Sequence, residues 1–204
     1  VGLAAAPSGF VWDRVANALG RMHALMIAYG LQIISIILPV FSDSPALNVL
    51  GALDVVNDDD REQVEGEARW VRAMAYFQLV RFYGQAYEPG GNNSQLGVPL
   101  VLTPTRQIDE ASYVTRNTVE ECYAQIIDDL TKAKNLLPEE NGVQANKFVA
   151  AATLARVYLQ MGRYADARDQ ANEVIESGVY SLVSDVASEW NNDDNSSEDI
   201  YAVQ

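Results

Sequence analysis

Side chains able to do acid–base, nucleophilic or metal chemistry are plentiful here but badly grouped for it. Asp58-Asp59-Asp60, Asp128-Asp129 and Glu139-Glu140 are adjacent acids. Paired carboxylates catalyse when they converge on one buried site with separated pKa values. Here they are expected on solvated helix faces or at helix ends. The first trio lacks the alternation and glycine of a calcium loop, and acids at a helix N-terminus complement its dipole. Cys122 is the single cysteine and His23 the single histidine. Cys122 falls at an apolar-periodic helix position, which predicts a buried free thiol and no disulfide. His23 has no second metal-type residue at helical spacing. Gly-x-Ser-x-Gly, a phosphate-binding glycine loop and a His-x-x-x-His pair are all missing from the sequence. The residues therefore predict no catalytic centre, no metal and no cofactor.

The elements that would position any site are helical. In Asn146–Gly178, Ala151, Leu154, Ala155 and Tyr158 recur at helical spacing, Gly162 breaks the run, and Ala167, Ala171, Val174 and Ile175 form a second run. Leu154, Ala155, Tyr158, Gly162, Tyr164, Ala167, Ala171 and Val174 occupy the positions of a tetratricopeptide repeat (TPR). The expectation is an antiparallel hairpin whose alanines allow close approach, with Tyr158 and Tyr164 filling the groove. Such a unit cannot bury both of its faces alone, so it needs neighbours.

Those neighbours are expected upstream. A long helix is predicted over Arg61–Tyr83, with Val64, Ala68, Val71, Ala75, Leu79 and Phe82 facing inward and Glu65 paired to Arg69. Thr118-x-x-Glu121 is a capping box that starts a helix running to Leu137, and Pro138 stops it. Residues 85–116 separate these two helices as a long insertion, in which Val98–Leu102 reads as extended. Further upstream, a helical pattern starts at Phe10. Ala24–Ser42 carries no charge and reaches the length of a membrane span. Gly30, Gln32, Ser35 and Pro39 favour instead a buried helix followed by an extended Ile33–Leu38. A short helix is expected over Ala46–Val56. Val179–Val183 and Ile200–Gln204 read as extended.

Composition bounds the partners. Of 204 residues, 49% are hydrophobic, enough for a core. Net charge is −14, with 14 Lys+Arg against 28 Asp+Glu, so there is no basic patch for nucleic acid. The chain opens VGLAAAPSGF, without the basic segment of a signal peptide.

Five stretches resemble the SusD/RagB family, the outer-membrane glycan-capture lipoproteins of Bacteroidetes. These are residues 48–84 with GEARWVRAMAYF, GVPLVLTPT at 97–105, and then residues 116–138, 146–183 and 196–204. The resemblance covers about three quarters of the chain and is weak over 1–46. It implies a mostly α fold of TPR-like hairpins, with the 85–116 insertion and short strands. The chain would be one domain, 1–204, the N-terminal TPR-like half of a longer protein whose loop-rich second half is not in this chain. The implied function is non-catalytic glycan or nutrient binding together with a SusC-like TonB-dependent transporter. The implied location is the outer membrane, anchored by a lipidated cysteine not in this chain. The other reading is an intracellular TPR adaptor that binds a protein or peptide in a helical groove.

Sugars present flat C–H faces, which proteins meet with aromatic rings beside amide and carboxylate groups. Trp190, followed by Asn191, fits that pattern, as does Tyr87 with Asn92 and Asn93 in the insertion; Trp12 is a further candidate. Trp70, inside the long helix, is expected to serve packing.

Overall fold

Acids at Asp58, Asp59 and Asp60 form the first turn of helix α1, Asp58–Tyr83, so the helix begins three residues before the sequence suggests. Their charge lies at the positive end of the helix dipole. The computed structural model describes residues 49–104, 114–185 and 196–201, all within one compact unit. Helices α2 (Val119–Leu136), α3 (Lys147–Gln160) and α4 (Tyr164–Glu176) follow. The capping box is present: the Thr118 hydroxyl accepts from the Glu121 amide at 3.2 Å, and the Thr118 amide donates to Glu121 Oε2 at 2.8 Å. Asn146 caps α3 by accepting from the Phe148 and Val149 amides, each at 3.0 Å.

Consecutive helices run antiparallel. Arg116, just before α2, donates to the carbonyl of Tyr83 at the end of α1. The Lys147 amide at the start of α3 donates to the carbonyl of Pro138, which follows α2. Helix α2 packs between α1 and α3, and α4 packs on α3, as expected for two TPR-like pairs interrupted by an insertion.

The core face of α1 departs from the expected stripe. Ala68, Ala75 and Leu79 are buried, but Val71 and Phe82 are about half exposed. Trp70, Ala73, Tyr76, Phe77 and Val80 are buried instead. The helix is covered from more than one side. Asp129 of α2 bonds Arg72, Thr153 of α3 bonds Trp70, and Val101 of the insertion bonds Tyr76. A single-face pattern cannot describe a helix with three neighbours.

Asp129 also departs from expectation, being fully buried rather than on a solvated face. It receives Arg72 Nε at 2.8 Å, Arg72 Nη2 at 2.6 Å, Arg69 Nη1 at 3.0 Å and Gln125 Nε2 at 3.1 Å. Arg69 also holds Glu65, as the spacing predicts. One buried carboxylate thus ties α2 to two arginines of α1, and its burial is tolerated because both oxygens are bonded. Asp128 lies on the surface with Lys132.

The α3–α4 hairpin turns at Gly162, whose φ of 73° favours glycine. Ala167 and Val174 are buried. Tyr158 is half-buried, but Tyr164 and Ile175 are largely exposed and do not fill the groove. Tyr164 is the first residue of α4, where the helix has no preceding turn to lie against.

No strand forms among the described residues. Leu96 and Thr118 make an isolated antiparallel bridge. Residues 97–101 are held mainly by side chains. Tyr76 Oη donates to the Val101 carbonyl at 2.8 Å and accepts from its amide at 2.7 Å, while Asn117 Oδ1 accepts from the Leu100 amide at 2.9 Å. Gly97 makes this packing possible, since a Cβ there would lie 2.8 Å from Cys122 Sγ. Residues 49 and 50 are helical and residues 53–55 form a 3-10 turn, so the described part of the expected short helix over Ala46–Val56 is interrupted at 51 and 52. Residues 10–42 and 202–204, with their expected helix and strands, lie outside the described residues.

Candidate functional site

The helical stack has two ends. At one, α1 and α3 finish and α2 and α4 begin, and the first part of the insertion covers it. Asn93 organises this loop. It is 1% exposed, at a φ of 50°. Its Oδ1 accepts from the Glu88 amide at 2.7 Å and from Gln95 Nε2 at 3.2 Å. Its Nδ2 donates to the carbonyls of Glu88 and Gly91, both at 3.1 Å. The loop in turn finishes the start of α2, where the first amides of a helix have no intrahelical partner. The Val119 amide donates to the Gln95 carbonyl at 2.9 Å, and the Glu120 amide to the Asn93 carbonyl at 3.0 Å.

Of the residues singled out in the sequence, this end holds three. Tyr87 is half-buried, its ring 4.8 Å from that of Tyr123. Asn92 is exposed and accepts from the Ser94 amide and hydroxyl. Asn93 has all of its side-chain bonding capacity committed inside the loop, so it offers nothing to a ligand. Trp12, Trp190 and Asn191 lie outside the described residues. Two neighbours escaped sequence reasoning. Arg163 stacks 4.4 Å from the centroid of Tyr158, and it acts electrostatically on Tyr87, as does Glu120. Burial raises the Tyr87 phenol above its usual range; Glu120 adds to the rise and Arg163 opposes it.

At the other end, α2 and α4 finish and α1 and α3 begin. Two hollows lie here, about 240 and 360 Å³, sharing Gln144 and Tyr201 as walls. Trp70 and Val64 line the smaller. Glu139, Glu140, Tyr180 and Asp199 line the larger. Trp70 is 6% exposed, as its helical position predicts. Its indole donates to Thr153 Oγ1 at 3.1 Å, and its ring meets that of Tyr201 edge-on at 4.7 Å. Tyr180 accepts from Asn146 Nδ2 at 3.0 Å and meets Phe148 edge-on. Sequence reasoning missed this cleft, because Tyr180 and Tyr201 both fell in segments read only as extended.

Among the described residues, neither end offers an activated nucleophile. Cys122 is fully buried, as expected, and burial pushes its thiol upward, away from the reactive thiolate. Burial likewise raises the Tyr123 phenol to about 12. Among the described residues, no three metal-ligating side chains gather. None of the described helices is long and apolar enough to cross a membrane. What both ends present is aromatic rings beside amides and carboxylates, which suits binding.

Comparison with known proteins gives this geometry a context. The SusD-like family described as "Starch-binding associating with outer membrane" matches residues 36–159. SusD-like protein P2 of Formosa agariphila is 31% identical over 127 residues, which are 60% of this chain and 23% of that protein. The crystal structure of a SusD superfamily protein from Bacteroides thetaiotaomicron is 31% identical with a TM-score of 0.62, covering 72% of this chain and 32% of that one. A SusD-like protein from Bacteroides fragilis is 29% identical with a TM-score of 0.64, covering 78% and 31%. The chain thus spans about a quarter to a third of the length of these relatives. With well over half of its residues matched by the family and its TPR-like pairs superposing on solved members, this chain belongs to the SusD-like family.

Proposed function

We propose that this chain is the TPR-like part of a non-catalytic cell-surface protein that binds a glycan and works with a SusC-like TonB-dependent transporter. The observation that carries the reading is membership of a family described as starch-binding and associated with the outer membrane. That membership favours it over an intracellular TPR adaptor. In this reading a lipidated cysteine outside the chain holds the protein at the outer membrane. Tyr87 and Asn92 are the proposed sugar contacts at the loop end, and Trp190, Asn191 and Trp12 are proposed contacts on the same chemical grounds. A ring with one face free can stack on a pyranose while neighbouring amides bond its hydroxyls.

The test uses the native gene product that carries this chain. Membranes are solubilised, the protein is captured, and co-purifying proteins are identified, while binding to soluble oligosaccharides is measured by calorimetry. A TonB-dependent transporter in the eluate, together with saturable oligosaccharide binding, is the expected result. Capture of no membrane partner sinks the transporter half of the reading, and absence of binding to any glycan sinks the other half.

A further inference from the structure

The cleft at the end away from the 85–96 loop has walls fixed from behind and polar groups left over. Tyr201 is 42% exposed, yet its ring rests edge-on against Trp70, which is itself held by Thr153. Tyr180 is held by Asn146 and by the edge of Phe148. Two rings that cannot collapse into the core therefore border the larger hollow. At about 360 Å³ it falls within the roughly 300–1,000 Å³ typical of ligand clefts. It shares Tyr201 and Gln144 as walls with the smaller one beside Trp70.

The free polar groups define the ligand. Among the described residues, the side chains of Glu140 and Gln144 have no hydrogen-bond partner, and both residues are exposed. Asp199 accepts from the Ser196 amide through one oxygen only. Glu139 is matched by Lys147 at 3.1 Å. The cleft thus offers mostly acceptors and excess negative charge, on a chain of net charge −14. A carboxylated or sulfated ligand would be repelled. A ligand rich in hydroxyl donors, with apolar C–H faces for the rings, complements every wall, because hydroxyls donating to carboxylates form strong charge-assisted bonds.

The geometry points to a binding site for a neutral oligosaccharide between Tyr180 and Tyr201, with Glu140, Gln144 and Asp199 receiving its hydroxyls. The inference rests on the glycan-binding reading above and adds to it a location and a charge preference.

Calorimetry on the native gene product tests it, with maltohexaose, laminarihexaose and mannohexaose as neutral probes and hexagalacturonate as the anionic one. Tyr201→Ala should weaken binding of a neutral probe about tenfold, and the double variant Glu140→Ala/Gln144→Ala about three- to tenfold. The double variant changes only exposed side chains, so it decides the matter if Tyr201→Ala lowers the melting temperature. Arg168→Ala, an exposed change on α4 outside the cleft lining, should leave neutral-probe affinity unchanged. Neutral binding that is unaffected by either cleft change overturns the site while leaving the glycan reading intact, and loss on Tyr87→Ala alone moves the sugar to the loop end. Preference for hexagalacturonate overturns the charge argument. No binding by any probe overturns the glycan reading itself, and this site with it.

Discussion

The two ends of the helical stack solve opposite problems with similar residues. At the loop end, amides and tyrosines are turned inward. Asn93 spends its whole side chain on its own loop, Tyr87 leans on Tyr123, and the loop carbonyls complete the first turn of α2. At the cleft end, comparable residues stay available. Gln144 and Glu140 face solvent, and Tyr201 is braced by Trp70 with much of its surface exposed. Residue type alone does not distinguish a staple from a contact; what matters is whether the hydrogen-bonding capacity is already used.

The layer shared by both ends should give the largest effect when broken. Asp129→Ala leaves Arg72 buried without its carboxylate and should cost about 3–5 kcal/mol, read by chemical denaturation. A loss below about 1 kcal/mol would mean that the α1–α2 tie does not hold the two ends in one unit.

Next comes the loop end. Asn93→Ala strands the Glu88 amide and the Gly91 carbonyl around a buried position, while the Glu88 carbonyl keeps the Gly91 amide. It should cost about 2–3 kcal/mol, since unmet buried polar groups dominate such losses. The same measurement on Tyr201→Ala at the cleft end should give about 1 kcal/mol or less, because that side chain is partly exposed. Equal losses at both positions would erase the contrast between a self-consumed end and an open one.

Much of this contrast was invisible in the sequence, for reasons that particular residues make plain. Local signals were legible. The Thr118–Glu121 box, Pro138, Gly162 and the Ala167–Val174 seam each act within a few residues, and each appears in the structure. The resemblance of 48–84 and 97–105 supplied the family. Long-range partnership was not legible. Asp129 looked like one of two surface acids until residues 57 and 60 positions away bracketed it. Asn93 looked like Asn92, its neighbour, until the loop closed around one and not the other. The cleft joins residues from α1, the α2–α3 turn and the segments after α4, a combination that no periodicity encodes.

Alkaline pH offers a smaller and more selective way to separate the ends. Tyr123 lies under the loop, with its phenol raised to about 12 in the folded state against about 10 in an unfolded chain. A raised pKa stabilises the fold fully below pH about 10, and that contribution is lost as pH climbs towards about 12. Tyr87 and Tyr76 shift in the same direction, also chiefly through burial. Stability measured across this window should fall in wild type and fall less steeply in Tyr123→Phe. Identical slopes would remove Tyr123 from the account.

The smallest effect is at acid pH. Glu121 is held below the usual carboxylate range chiefly by the Thr118 amide, with Asn117 helping. Its contribution is therefore present above the ordinary carboxylate pKa and is lost as pH falls through the lowered one. Glu121→Gln should flatten the acid limb slightly, because the group is exposed and solvent screens it. An unchanged acid limb would show that the box acts through geometry alone.

The completion of α2 by the loop has a consequence for exchange with solvent. First-turn amides of a helix ordinarily lose their protons to water quickly, since nothing holds them. Val119 and Glu120 instead give theirs to Gln95 and Asn93, from a segment more than twenty residues upstream. Their deuterium uptake becomes a clock for the opening of residues 85–96: every departure of the loop unlocks both protons together, while Ile126 in the middle of the same helix keeps its own. Two backbone positions can thus report how often this end of the molecule lets go, with no probe attached to the loop itself.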